Sequence, residues 1–263
     1  MSTSQPYLEP MTTGMILDRS FRLYSQNFAL MIGLTAVVHV PVLILTVGLP
    51  LLGESSTILG AVGTLVGLLG ILLGVIIVTP LVTGAATKAI SEKFLGNEVT
   101  ALSALKFAWH YVLTLLLIQI VVSIIVAVGF LLLIVPGVLW MLSYSVVVPV
   151  AVLESSSDRA EIRRRSWRLV SGHRGKAFGV LVVVILSQLL LSMSGSLFIE
   201  MTYGTESAAG EALAGIISGL AVMLIYPLQA IAVTLLYYDL RIRKEGFDLE
   251  MLSQAIAAPD TPA

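Results

Sequence analysis

Six long apolar blocks, at about 28–52, 58–86, 111–135, 137–153, 177–198 and 212–236, decide what this chain can become. Uninterrupted apolar runs near or beyond roughly 18 residues read as membrane-spanning helices. Hydrophobic residues make up 57% of the 263 positions and charged ones 12%. Soluble domains carry roughly 25% charged residues, so a water-facing surface could not be covered here. The expected fold class is all-α integral membrane, with six transmembrane helices as three helical hairpins.

What lies between the blocks is patterned. Asp158 to Lys176 holds Arg159, Arg163, Arg164, Arg165, Arg168, Arg174 and Lys176. At about 100° per residue, Ile162, Ser166, Trp167, Leu169 and Val170 fall on one side, and Arg164, Arg165 and Arg168 on the other. Such a basic amphipathic helix suits the plane of a membrane surface. Gly14 to Asn27 reads as a second one. Ile16-Leu-Asp-Arg-Ser-Phe-Arg-Leu-Tyr-Ser25 lies over Ile162-Arg-Arg-Arg-Ser-Trp-Arg-Leu-Val-Ser171, 146 positions away, with Ile, Arg, Ser, Arg, Leu and Ser identical. That predicts an internal repeat.

Each copy leads into a pair of apolar blocks. A worn middle copy begins at Thr100–His110, where Phe107 takes the place of Phe21 and Trp167. The second block of each pair carries a proline, in Thr79-Pro80-Leu81, Val148-Pro149-Val150 and Tyr226-Pro227-Leu228. The expected turn of the middle hairpin is Pro136-Gly137. Three units of cytoplasmic surface helix plus hairpin follow, at 14–98, 99–156 and 157–253 of a single 14–253 domain. Flexible tails at 1–13 and 254–263 flank it, and no cleaved signal peptide is expected.

Orientation follows from charge. All fifteen Lys and Arg fall before the first block, in the even-to-odd connections, or after the last block. The opposite loops carry only Glu54, Glu206 and Glu211, with Glu200 at their edge. The positive-inside rule places both termini in the cytoplasm of a cell (inner) membrane protein. The formal net charge of −1 excludes a strongly basic nucleic-acid binder. With no cysteine, disulfides, thiol catalysis and thiolate metal sites are excluded.

Several intramembrane residues admit two readings. His39 is the one ionisable side chain deep in a block; it serves a proton or ligand role, or donates to a carbonyl near Val37 freed by Pro41. Gln119, Gln188 and Gln229, with Thr83, line a polar path or bond between helices. Gly60, Gly63, Gly67, Gly70 and Gly74, and the Gly215/Gly219 pair, are expected to let helices approach closely. No Asp, Glu, Lys or Arg sits at a block's centre, which argues against ion-driven pumping. No phosphate loop, nucleophile elbow or metal spacing occurs, so no enzyme activity and no cofactor are expected. His173-Arg174-Gly175 matches a catalytic tripeptide but merely joins a surface helix to a span.

Three fragments carry a family resemblance: Gly14-Met-Ile-Leu-Asp-Arg-Ser-Phe-Arg-Leu-Tyr24, the block from Val148 to Glu154 with Arg165 to Gly172, and Leu236 to Glu250. Over nearly its full length the chain resembles the prokaryotic glycerophosphodiester phosphodiesterase membrane-domain family. The resemblance implies a polytopic inner-membrane module without assigned catalysis and carries over no catalytic residue. The leading functional expectation is a non-enzymatic module. Its basic feet (Arg19, Arg22, Arg163, Arg164, Arg165, Trp167 and Arg168) would engage membrane lipids of anionic headgroup or a membrane or cytoplasmic protein partner. The alternatives are a passive carrier of lipid or small molecules between the hairpins, and a phosphodiesterase.

Overall fold

The computed structural model describes residues 9–52, 58–154, 158–203 and 208–246. They form nine helices and, among the described residues, no strand. These are α1 (Thr13–Gln26), α2 (Phe28–Leu52), α3 (Ile58–Phe94), α4 (Ala101–Leu132), α5 (Ile134–Ser143), α6 (Val147–Leu153), α7 (Arg159–Val170), α8 (Arg174–Tyr203) and α9 (Ala208–Glu245). Four stretches among the described residues are long and apolar enough to cross a membrane: Ala101–Leu132, Ile134–Leu153, Arg174–Gly195 and Gly215–Glu245. The chain is an all-helical membrane protein. Residues 1–8 and 247–263 and the loops at 53–57 and 204–207 lie outside the described residues, as do the surroundings of Gly60, Gly63, Gly67, Gly70 and Gly74.

The two amphipathic segments form as their sequences require. Thr12 caps α1 by accepting the Met15 N–H at 3.2 Å, and Asp158 caps α7 by accepting that of Ala160 at 2.8 Å. Each cap satisfies a donor the first helical turn leaves orphaned. Ile16 and Ser20 of α1 are fully buried, and so are Ile162 and Ser166 of α7. Each helix stops before its span: Asn27 ends α1, and Gly172, at φ 84°, lets the chain leave α7. The middle copy has no such breaker between Trp109 and Tyr111. There the expected surface helix and span merge into the continuous α4, opened by a Thr100–Ser103 capping box.

Two expectations about the middle hairpin are corrected. The turn falls at Leu133, in extended backbone, and Pro136-Gly137 lies inside α5. Proline is tolerated in a first helical turn because its missing N–H would have no helical partner there. Gly137 instead permits close approach: a Cβ there would stand 2.5 Å from Phe130 Cγ. The fourth span, expected unbroken, divides at Tyr144–Val146, so Pro149 also sits in the first turn of a new helix. Pro80 and Pro227, by contrast, lie inside continuous helices.

Helix α2 packs on α3 and α9, α8 on α9, and α4 on α3. The helices expected as feet pack largely on elements other than the one that follows each in the chain. Helix α1 packs on α9 and α8, the start of α4 meets α3 through Lys88 above the Phe107 ring, and α7 packs on α6 and α5. Gly219 brings α9 against α2, where a Cβ would meet Leu43 Cδ1 at 2.5 Å. That close contact is within the chain.

Candidate functional site

A cavity of about 280 Å³ opens among α3, α4, α6 and α9, beside the α5–α6 break. One wall is a threonine stripe, Thr79, Thr83 and Thr87, spaced one turn apart so that all three face the same way on α3. Gln119 comes from α4, Ser145 from the break between α5 and α6, Pro149 from α6, and Tyr226 and Gln229 from α9. The residues that immediately precede Pro80, Pro149 and Pro227, namely Thr79, Val148 and Tyr226, all line it, together with Pro149 itself. Among the described residues, no Asp, Glu, Lys, Arg or His lines the cavity.

Hydrogen bonds fix some of these groups and leave others open. Thr83 donates to its own helix at the Thr79 carbonyl, 2.6 Å away, so the Tyr226 hydroxyl at 2.7 Å donates to Thr83. Gln188 lies behind the wall and donates Nε2 to Gln229 Oε1 at 3.0 Å. Ser145 Oγ is buried with no partner, and the Gln119 amide makes no side-chain hydrogen bond among the described residues. Buried polar groups are ordinarily satisfied, so the unpaired Ser145 hydroxyl is able to bond a molecule that enters the cavity.

His39 stands outside the cavity, with its ring 5.6 Å from that of Tyr226. Its Nδ1 lies 3.1 Å from the Thr35 carbonyl, not one near Val37. Helical side chains lean back toward the preceding turn, which brings the imidazole to the carbonyl four residues earlier. The carbonyl that Pro227 frees belongs to Met223, and the Thr35 hydroxyl lies 3.3 Å from it, with the Met31 and Ile32 carbonyls of its own helix as nearer acceptors at 3.1 Å. Thus Thr83, Gln119 and Gln229 come together, while His39 and Gln188 support the wall from behind. Sequence reasoning missed Thr79, Thr87, Ser145 and Tyr226. The threonine spacing was the available signal for two of them.

At one end of the bundle the charged residues form a second constellation. Asp239, fully buried, accepts the Met11 N–H at 2.7 Å, Lys176 Nζ at 2.6 Å and Arg243 Nε at 3.1 Å. Arg165 donates Nε to Glu154 at 2.9 Å and both terminal nitrogens to Glu245. Tyr237 donates to Glu154 at 3.0 Å. Hydrogen bonding to Glu245, opposed by partial burial and joined by Glu154, raises the Arg165 pKa above its ordinary value.

The remaining basic candidates differ in their partners. Arg22 pairs with Asp18 at 2.6 Å, as the i,i+4 spacing predicts, and Arg168 pairs with Glu161. Arg163 reaches the Arg159 carbonyl, and the exposed Arg164 has no ion pair among the described residues. Trp167 meets Tyr144 in a tilted contact, ring centroids 5.8 Å apart, and the Arg174 guanidinium lies over its ring. Arg174 belongs to the His-Arg-Gly triplet, and no cluster of metal-binding side chains occurs among the described residues.

Searches against family models, curated proteins and solved structures return no match. The likeness to the phosphodiesterase membrane-domain family therefore rests on the three sequence fragments alone.

Proposed function

We propose that this chain is a non-enzymatic inner-membrane module of six spans whose polar cavity binds a small uncharged solute and passes it without ion coupling. The observation that carries this reading is the convergence of Thr83, Gln119, Gln229 and Tyr226 on a cavity with unpaired hydrogen-bonding groups and no charge. Its volume lies at the small end of ligand sites. A ligand that donates and accepts hydrogen bonds complements it, whereas an ion would lack a counter-charge.

The arrangement of the feet supports three related units about one axis. The first foot packs on the third unit, the second on the first, and the third on the second, a cyclic order that a threefold repeat requires. All cations gather at the end that the positive-inside rule assigns to the cytoplasm.

Proteoliposomes test the proposal by stopped-flow measurement of water, urea and glycerol entry. The expected outcome is a rate above that of empty vesicles for at least one solute, reduced by Gln119→Leu at equal protein density. A rate equal to empty vesicles for all three overturns the carrier reading.

A second reading has its own observation. Exposed Arg159 and Arg164 on α7, and exposed Met15 and Phe21 on α1, give the feet basic and apolar faces suited to an anionic leaflet. In this reading the module engages anionic lipid headgroups, with or without a protein partner.

A further inference from the structure

Helices α1 and α7 share an N-cap position (Thr12 and Asp158) and buried positions 146 residues apart, so Arg19 and Arg165 occupy the same register. Their surroundings differ. The Arg165 fork is filled by two carboxylates, Glu154 and Glu245. Arg19 has only the Met11 sulfur at 3.8 Å and the face of Phe94, whose centroid lies 5.1 Å from its guanidinium carbon. Thioether sulfur is a weak acceptor, and a guanidinium carries five N–H donors. No carboxylate among the described residues pairs with Arg19.

The space beside Arg19 is open. A groove of about 540 Å³ runs along α1 to the end of α3, and Arg22 and Lys93 share it. Two acids border it as well. Asp18 is held by Arg22 at 2.6 Å, and Glu9 stands exposed on the segment before α1. Lys93 reaches out to Glu98 at 2.7 Å, a carboxylate almost wholly in solvent. The apolar lining is Met11, Met15, Leu23 and Phe94, and Met15 is exposed at the groove's edge.

The geometry points to a phosphate-binding site in this groove, where an anionic phospholipid headgroup takes the place that the Glu154 and Glu245 carboxylates take around Arg165. A planar guanidinium accommodates two phosphate oxygens side by side, with Arg22 and Lys93 adding charge. The exposed Met15 and Phe21 set α1 at headgroup depth, with the groove beside acyl chains. A free phosphate ester shares the recognition chemistry. The inference rests on the headgroup reading and specifies which foot holds the lipid.

The purified full chain in detergent, titrated with phosphatidylglycerol or phosphatidylcholine and read by native mass spectrometry, tests it. Phosphatidylglycerol should bind wild type and Lys106→Gln, a change at an exposed cation of α4, alike and bind Arg19→Gln about tenfold more weakly. Arg19→Lys, which keeps the charge and loses the fork, should fall between them. Displacement by inorganic phosphate would assign the site to phosphate from either source, and persistence against it would assign it to lipid. Unchanged binding in Arg19→Gln overturns the groove site. Equal weakening in Arg19→Gln and Lys106→Gln overturns it too, while leaving general headgroup attraction standing. Binding that survives Arg19→Gln combined with Arg159→Gln, Arg163→Gln and Arg164→Gln overturns both.

Discussion

Two helices whose aligned segments share six of ten residues have been put to different use. Helix α7 is clamped: Arg165 ties it to the end of α6 and the end of α9, and Ser166 donates to the Ser143 carbonyl at 2.9 Å. Helix α1 is anchored mainly from one end, where Met11 and the buried Asp239 join it to α8 and α9. Its Ser20 bonds only within its own helix, at the Ile16 carbonyl. A shared sequence therefore fixes the helix and its buried stripe. What the arginine on that helix does depends on which carboxylates neighbouring elements bring near it.

The largest effect should come from the anchor. Asp239→Asn would leave Lys176, itself mostly buried, without its carboxylate, and loss of one buried partner costs about 3–5 kcal/mol. Thermal unfolding in detergent should show this as a marked fall in midpoint. If Asp239→Asn unfolds like wild type, α1 is not held in the way described. Glu92, twelve residues beyond Pro80 as Asp239 is beyond Pro227, is incompletely buried and should tolerate the matching Glu92→Gln change far better.

The arginines should differ next. Arg165→Met leaves Glu154 and Glu245 without their shared cation and should cost about 1–3 kcal/mol, since hydrogen bonds to charged groups are worth that much when partly shielded. Arg19→Met loses one cation–π contact and should cost below about 1 kcal/mol. Equal losses in the same unfolding assay would erase the distinction between the feet.

The smallest effect concerns acid. Hydrogen bonds from Lys88 and then Asn97 hold the Glu92 carboxyl below its usual 4.5. A lowered folded-state pKa means the stabilisation is present above the unfolded value and is lost as pH falls through the folded one. Wild type should therefore lose slightly more stability than Lys88→Met between about pH 5 and pH 3, by less than about 1 kcal/mol. An identical pH profile for the two would remove the Glu92 pairing from the account.

Much of the scaffold was legible beforehand. Apolar block length predicted helices, and the 100° arrangement around Ile162 and Ser166 predicted the buried face of α7. The breaks at Leu133 and Tyr144–Val146 were not legible. Proline and glycine mark turns by local preference, whereas here Pro136 and Pro149 occupy first turns and Gly137 serves a contact with Phe130. For the cavity, polarity inside apolar blocks singled out Thr83, Gln119 and Gln229. Ser145 and Tyr226 gave no such signal, because their place depends on where the fourth span breaks and how α9 turns toward α3.

The sequence by itself determined that this chain builds long apolar helices with amphipathic feet, because burial periodicity and backbone capping are local and act wherever the residues stand. Only the tertiary structure decided which charges cancel and which stay open. Arg165 and Arg19 read alike along the chain, and the difference comes from carboxylates brought by α6 and α9 to one and not the other. Electrostatic pairing depends on distance in space, and sequence separation carries almost none of that information.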